Sequence, residues 1–197
     1  MGKLFKDRTI ISLFDHSGEW SKPYREVGYD VIQIDIKHGQ DIRWAYHIDK
    51  EIQGILMAPP CTAFAVSGAQ WWKKKDEDGQ TLEGIALVDA ALRFVAIYNP
   101  VWWVLENPVG RLRRWLGPPT HMFNPCDYGD PYTKKTLLWG KFNIPKKNPV
   151  EPIMYEMKNG KRGSWMWANL GGKSERTKEL RSKTPPGFAR AFFEANY

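Results

Sequence analysis

A chain of 197 residues is long enough for one well-buried domain with a small appendage, and too short for two ordinary domains. Hydrophobic residues make up 42% and charged residues 26%, with no long polar or low-complexity tract, which excludes an intrinsically disordered chain. The N-terminus MGKLFKDRTI lacks the apolar run of a signal peptide, and no stretch approaches the roughly 18 apolar residues of a membrane span, so a cytoplasmic protein with no membrane partner is expected. Its two cysteines, Cys61 and Cys126, do not suggest a disulfide in that compartment. The histidines His16, His38, His47 and His121 show no metal-ligand spacing, so no metal is expected.

The net charge of +7 is unevenly spread: residues 1–109 carry 12 Lys+Arg against 15 Asp+Glu, whereas residues 110–197 carry 17 against 7. A basic half of this kind suits a polyanion, with affinity that falls as salt rises. Ten tryptophans and eight tyrosines, many interleaved with the basic residues, could stack on exposed bases. Nucleic acid is therefore the expected partner, and a monomer the expected state.

In chain order, RTIISLF at 8–14 is an apolar run of strand length, broken by DHSGEWSKP, with a helix expected after it. VIQIDI at 31–36 alternates like a strand and closes at Asp35. EIQGILMAPP gives a buried strand at about 52–57 that stops at a double proline, and a loop bearing Cys61 follows. Residues 81–98 place Leu82, Ile85, Leu87, Val88, Ala91, Leu92 and Val95 at helical spacing, with Thr81 as the expected N-cap. The charge run KKKDEDG at 73–79 reads as a solvated loop tip, or as a lid. NPVWWVLENP then gives a strand at 101–105 that ends in Glu106, Asn107 and Pro108. TLLWGKF is strand-like, 141–180 reads as an irregular insert, and 184–197 as a terminal helix with an apolar stripe of Phe188, Ala191 and Phe192. Strands alternating with helices imply a single α/β domain over 1–197 with a Rossmann-like, doubly wound, mostly parallel sheet. Ligands of such sheets collect at the carboxyl ends of the strands, where Asp35, Cys61 and Glu106 all fall.

Two clusters there carry chemistry. A cysteine in a loop after a buried strand, APPCTAF, is exposed at the ligand edge, although a lone cysteine is more often a small buried hydrophobe. A glutamate after four apolar or aromatic residues, VLENP, should be partly desolvated, and desolvation raises a carboxyl pKa toward a value suited to sharing a proton with a ring nitrogen. The alternative for Glu106 is a surface ion pair with Arg111 or Arg113. Cys126, in NPCDYGD, reads as structural.

PPC followed by ENP, with an upstream strand ending LFDHSGEW, resembles the cytosine-5 DNA methyltransferase family, and especially its short phage-type members. The resemblance spans motifs across most of residues 9–140 and the final helix. It implies an S-adenosylmethionine cofactor and DNA as substrate. It also implies that Cys61 attacks carbon 6 of a flipped cytosine, that Glu106 meets ring N3 and the exocyclic amine, and that Asn107 holds the Cys61 loop. On the cofactor side it implies Phe14 beside the adenine and the backbone of Asp15, Ser17 and Gly18 at the methionine moiety. Asp35 would take the ribose hydroxyls with Ile36 next to it, while Asp41 and Ile42 would read the adenine edge. Pro59 would border the cofactor and Pro60 the base.

The sequence departs from the family in two places. The cofactor loop keeps only Gly18 of several glycines, and the Gln, Arg and Arg run that supports the flipped base is replaced by YGDPYTKKTLLW, where Lys134 or Lys135 is expected to supply positive charge. Only the short insert at 141–180 is available to read DNA, with KRGSWMW as its most nucleic-acid-like segment, so Lys161, Arg162, Trp165 and Trp167 are the expected contacts. The rival expectations are C5 modification of free cytosine nucleotides and a catalytically silent module that binds cofactor or DNA as a regulator or decoy.

Overall fold

The computed structural model describes residues 5, 7–44, 46–156, 160, 162–170 and 174–197, with Trp167 described by its backbone alone. Six strands form one sheet. In chain order they are β1 (Thr9–Leu13), β2 (Asp30–Ile34), β3 (Ile52–Met57), β4 (Trp102–Pro108), β5 (His121–Phe123) and β6 (Thr136–Lys141). Their spatial order is β2-β1-β3-β4-β6-β5. Strands β1 to β4 pair in parallel, while β6 runs antiparallel to both β4 and β5. The fold is the expected Rossmann-like α/β sheet. The chain reverses its direction of winding between β1 and β3, the place where an open α/β sheet opens a ligand crevice at its carboxyl edge.

Period-2 alternation sorts the strand residues onto two cores. Ile11, Leu13, Ile55, Met57, Leu105, Leu137 and Trp139 face one side, where α3 (Gln80–Tyr98) packs with Val88, Ala91 and Phe94. Ile10, Leu56, Trp102, Val104 and Leu138 face the other side, against α1 (Lys22–Glu26) and the terminal helix α7 (Pro186–Ala195). The expected stripe holds: Phe188 and Phe192 are fully buried on Trp20 and Trp102. Tyr24 ties the first helix to the last through its hydroxyl, which donates to the Asn196 carbonyl at 3.1 Å. Among the described residues no helix is long and apolar enough to cross a membrane.

Four expectations need correction. Residues 72–77 are not a loop tip but a helix, α2 (Trp72–Glu77), joined to α3 by a turn at Gly79 with φ of 77°. Thr81 is not the N-cap of α3, since that place falls to Gly79 and the Thr81 hydroxyl donates instead to Asp76 at 2.6 Å. Strand β4 runs through Glu106 and Asn107 rather than stopping before them, because β6 pairs with it as far as Pro108. The 141–180 segment is partly regular: β7 (Met154–Glu156) and β8 (Arg162–Ser164) form a ribbon, followed by α5 (Trp165–Leu170) and α6 (Glu175–Ser182). The helix α4 (Arg113–Leu116) is a single turn.

Candidate active site

Strand β3 ends because Pro59 and Pro60 cannot continue the ladder, and the chain turns into a 3₁₀ turn at Cys61–Ala63. The turn is held from several sides. Asn107 donates through Nδ2 to the Pro59 carbonyl at 2.9 Å. Val66 N–H donates to the Val109 carbonyl and Arg111 N–H to the Phe64 carbonyl, each at 2.9 Å. The Arg111 Nε adds a bond to the Ala63 carbonyl at 3.0 Å, and Lys75 reaches the Thr62 carbonyl at 2.5 Å. Gly110 makes the close approach possible, because a Cβ there would lie 2.0 Å from the Phe64 carbonyl oxygen. Pro59 is buried and Pro60 exposed beside the half-buried Cys61.

Glu106 projects from β4 into the same neighbourhood. Its Oε2 is sealed from solvent with no hydrogen-bond partner among the described residues. Burial pushes the carboxyl pKa up, and the Lys134 ammonium pulls it partly back. The Cys61 thiol is pushed up by burial and then by Glu106, while Lys134 and Arg181 pull it down. Thiol, carboxyl and ammonium are thus close enough to feel one another. Glu106 does not pair with Arg111, whose guanidinium goes to Asp76 at 2.8 Å instead. Glu106 and Lys134 line a narrow cleft with Phe123, Thr136, Thr184, Pro185 and Phe188, and at its present width it has room for about one water molecule.

Of the two lysines expected to replace the missing arginines, Lys134 faces the cleft and Lys135 is exposed. Lys134 is fixed by a 2.9 Å bond to the Arg181 carbonyl near the end of α6, the end of a helix that favours a cation. Sequence reasoning missed Arg181, Thr184 and Arg111. Only their basic or turn-forming character marked them, and their partners lie 30 to 50 positions away.

The loop after β1 is held by side chains in place of glycines. Phe14 adopts a left-handed φ of 60°, unusual for a bulky residue, directly after β1. The buried Asp15 carboxylate accepts from the Ser12 hydroxyl at 2.9 Å and from the Ser21 hydroxyl at 2.8 Å. Gln33 donates to the Asp15 carbonyl at 2.6 Å and is itself held by Arg25. Gly18 supplies the positive φ that turns the loop, with Ser17 exposed before it. Asp35 caps the turn after β2 by accepting the Lys37 N–H on Oδ1, and Ile36 next to it is 68% exposed. His16 and His38 meet across the loop, with ring nitrogens 3.2 Å apart. Asp41 is chelated by Arg43, which holds its carboxyl down at about 2, and Ile42 is buried in the core.

On the insert, Arg162 is exposed and Trp165 half-buried against Tyr132. Lys161 and the side chain of Trp167 lie outside the described residues. Cys126 is half-buried, and its N–H donates to the Tyr132 carbonyl at 3.1 Å. Among the described residues no three His, Cys, Asp or Glu side chains gather as metal ligands would.

No family model matches the chain. A protein of Frog virus 3 (isolate Goorha), described as a DNA (cytosine-5)-methyltransferase, is 27% identical over 204 residues, covering 90% of this chain and 94% of the viral one. The resemblance to the cytosine-5 DNA methyltransferases is borne out. Similarity to that methyltransferase runs well past the two short motifs and over nearly the whole of both chains. A solved structure described as a DNA modification methyltransferase encoded within an E. coli prophage covers 74% of this chain at 18% identity and a TM-score of 0.49. This chain spans about half of that structure, 52% of its length.

Proposed function

We propose that the chain is an S-adenosylmethionine-dependent enzyme that methylates carbon 5 of cytosine in DNA, with Cys61 as covalent nucleophile and Glu106 as the acid at ring N3. The observation that carries this reading is a Cys61 thiol that feels the charge of Glu106, whose Oε2 is sealed from solvent without a partner among the described residues. Such an atom fits a ligand that donates to it and displaces the isolation that burial imposes. A protein acting on DNA in this way would be at home in the cytoplasm.

Carbon 5 of cytosine is a weak nucleophile until a bond at carbon 6 localises electron density there, so covalent catalysis divides the difficult step. Cys61 Sγ, its proton passed to solvent, would form the bond to carbon 6 while the Glu106 carboxyl, whose pKa burial raises, delivers a proton to N3. Carbon 5 then takes the methyl group. Its original proton leaves to solvent as the bond to Cys61 breaks, and N3 returns its proton to Glu106. Lys134 lies where it can stabilise negative charge on Glu106 and on the departing thiolate.

The residues present fit the cofactor: a carboxylate at the end of β2 beside an exposed Ile36 and a loop-borne Phe14 is the donor set that a ribose and an adenine require. Asp35 would hold the ribose, Ile36 and Phe14 would flank the ring, and the backbone of 15–18 would meet the methionine end. When bound, S-adenosylmethionine supplies an electrophilic methyl group on a sulfonium.

Face access to carbon 5 and carbon 6 requires the base to leave the stack, so single-stranded or flipped cytosine is the expected form. Incubation with tritiated S-adenosylmethionine and mixed DNA, followed by nucleoside analysis, should yield labelled 5-methylcytosine. Label in dCMP but not in polymer would favour a free-nucleotide substrate. No label in either, with cofactor bound, would favour a silent binding module.

A further inference from the structure

Arg111 follows the Glu106 strand by only three residues, yet its buried guanidinium serves neither Glu106 nor the cleft. It forms a junction of three elements. Nε donates to the Ala63 carbonyl in the Cys61 turn at 3.0 Å, Nη1 to Asp76 of α2 at 2.9 Å, and Nη2 to Thr81 of α3 at 2.6 Å. Thr81 and Asp76 bond to each other, which closes the ring. The guanidinium also lies 5.0 Å from the Trp72 ring centre and 6.0 Å from that of Trp115. From the other side of α2, Lys75 grips the Thr62 carbonyl. Helix α2 is therefore bonded directly to the Thr62 carbonyl through Lys75, and reaches the Ala63 carbonyl by way of Arg111.

We propose that Arg111 is a positioning residue for the nucleophile, which makes α2 and the Cys61 turn one unit and so sets where the thiol stands. The inference rests on the reading of Cys61 as nucleophile. Its physical basis is that a buried cation needs its donors met, and these are met from three segments at once. Asp76, half exposed, is the removable part of the junction. Losing its carboxylate frees α2 while Arg111 keeps its bonds to Ala63 and Thr81.

The test measures iodoacetamide alkylation of Cys61 across pH, without DNA or cofactor, in a Cys126→Ser background. Asp76→Ala should alkylate about tenfold faster, as local opening of the turn becomes easier. The pH midpoint should stay in place, since Asp76 is not among the charges that shift the thiol. Asp76→Glu should restore the slow rate, and thermal melts should confirm that all variants are folded. In methyl transfer, Asp76→Ala should lower kcat by about tenfold or more with KM for cofactor unchanged, because misplacement rather than lost binding is at fault. Alkylation and kcat unchanged in Asp76→Ala would overturn the proposal, whatever the outcome for Arg111→Lys. Absence of methyl transfer by the wild type, with the alkylation pattern intact, would reject the methyltransferase reading and still support the junction.

Discussion

At Cys61 the thiol and its neighbours pull in opposite directions. Burial and Glu106 hold it protonated, and Lys134 and Arg181 oppose them. Alkylation of Cys61 should therefore rise through and beyond the ordinary thiol range. Lys134→Ala should move that profile to higher pH and Glu106→Gln to lower pH, and identical profiles in both variants would show that the three groups do not interact. Cys61→Ser should reduce turnover by a factor on the order of a thousand or more without unfolding the protein, because a hydroxyl is far less ionised than a thiol. DNA containing 5-fluorocytosine should trap the wild type and not this variant. Glu106 also carries a stability consequence. Its folded pKa is raised, so the folded state binds more protons than the unfolded one, and stability falls as pH rises from the unfolded pKa through the folded one. Glu106→Gln lacks this loss, and its Tm should exceed that of wild type by a few degrees at neutral pH and by less below pH 4.

Among the elements, those whose burial is two-sided or strongly periodic were legible. The runs at 9–13, 30–34 and 52–57 form strands because their apolar residues feed both cores, and α3 follows from its three-and-four spacing. The end of β4 was not legible. Glu106 and Asn107 remain in a strand only because β6, some 30 residues later, bonds alongside. Helix α2 was missed because KKKDED carries no apolar stripe, and tertiary bonds from Lys75 and Asp76 hold it. The placement of Asp35 after β2, in contrast, follows from local pattern alone. Asp35→Ala should weaken S-adenosylmethionine binding by roughly 1.5–3 kcal/mol for each charge-assisted bond lost, as read by calorimetry. At the crossing of the Cys61 turn and the end of β4, Gly110→Ala should destabilise the fold by about 1–3 kcal/mol, since the added methyl meets a backbone carbonyl that has no room to yield. A melt superimposable on that of wild type would contradict the close approach.

For the molecule as a whole, charge follows the division of labour. Residues 1–109, which bear Asp35, Cys61 and Glu106, are slightly acidic, and the basic excess lies in residues 110–197, with Lys134 at the cleft and exposed Lys135 and Arg162 beyond it. Binding to DNA should weaken with salt, at a logarithmic slope of about 0.9 per phosphate on duplex or about 0.7 on single strands. Removing Lys135 and Arg162 together should flatten that slope by about 1 to 2 units and leave cofactor affinity alone. A wild-type slope near zero would turn preference toward a free nucleotide.

The cleft lined by Glu106 and Lys134 is completed by Thr184, Pro185 and Phe188, at the start of the terminal helix. During synthesis, therefore, Asp35, Cys61 and Glu106 emerge from the ribosome long before the cleft can close, and the growing chain carries an unfinished cleft. A nascent polypeptide tethered beside nucleic acid would be chemically idle until the helix that seals Trp20 and Tyr24 into the core arrives. Closing of the cleft and docking of the helix would then coincide in time.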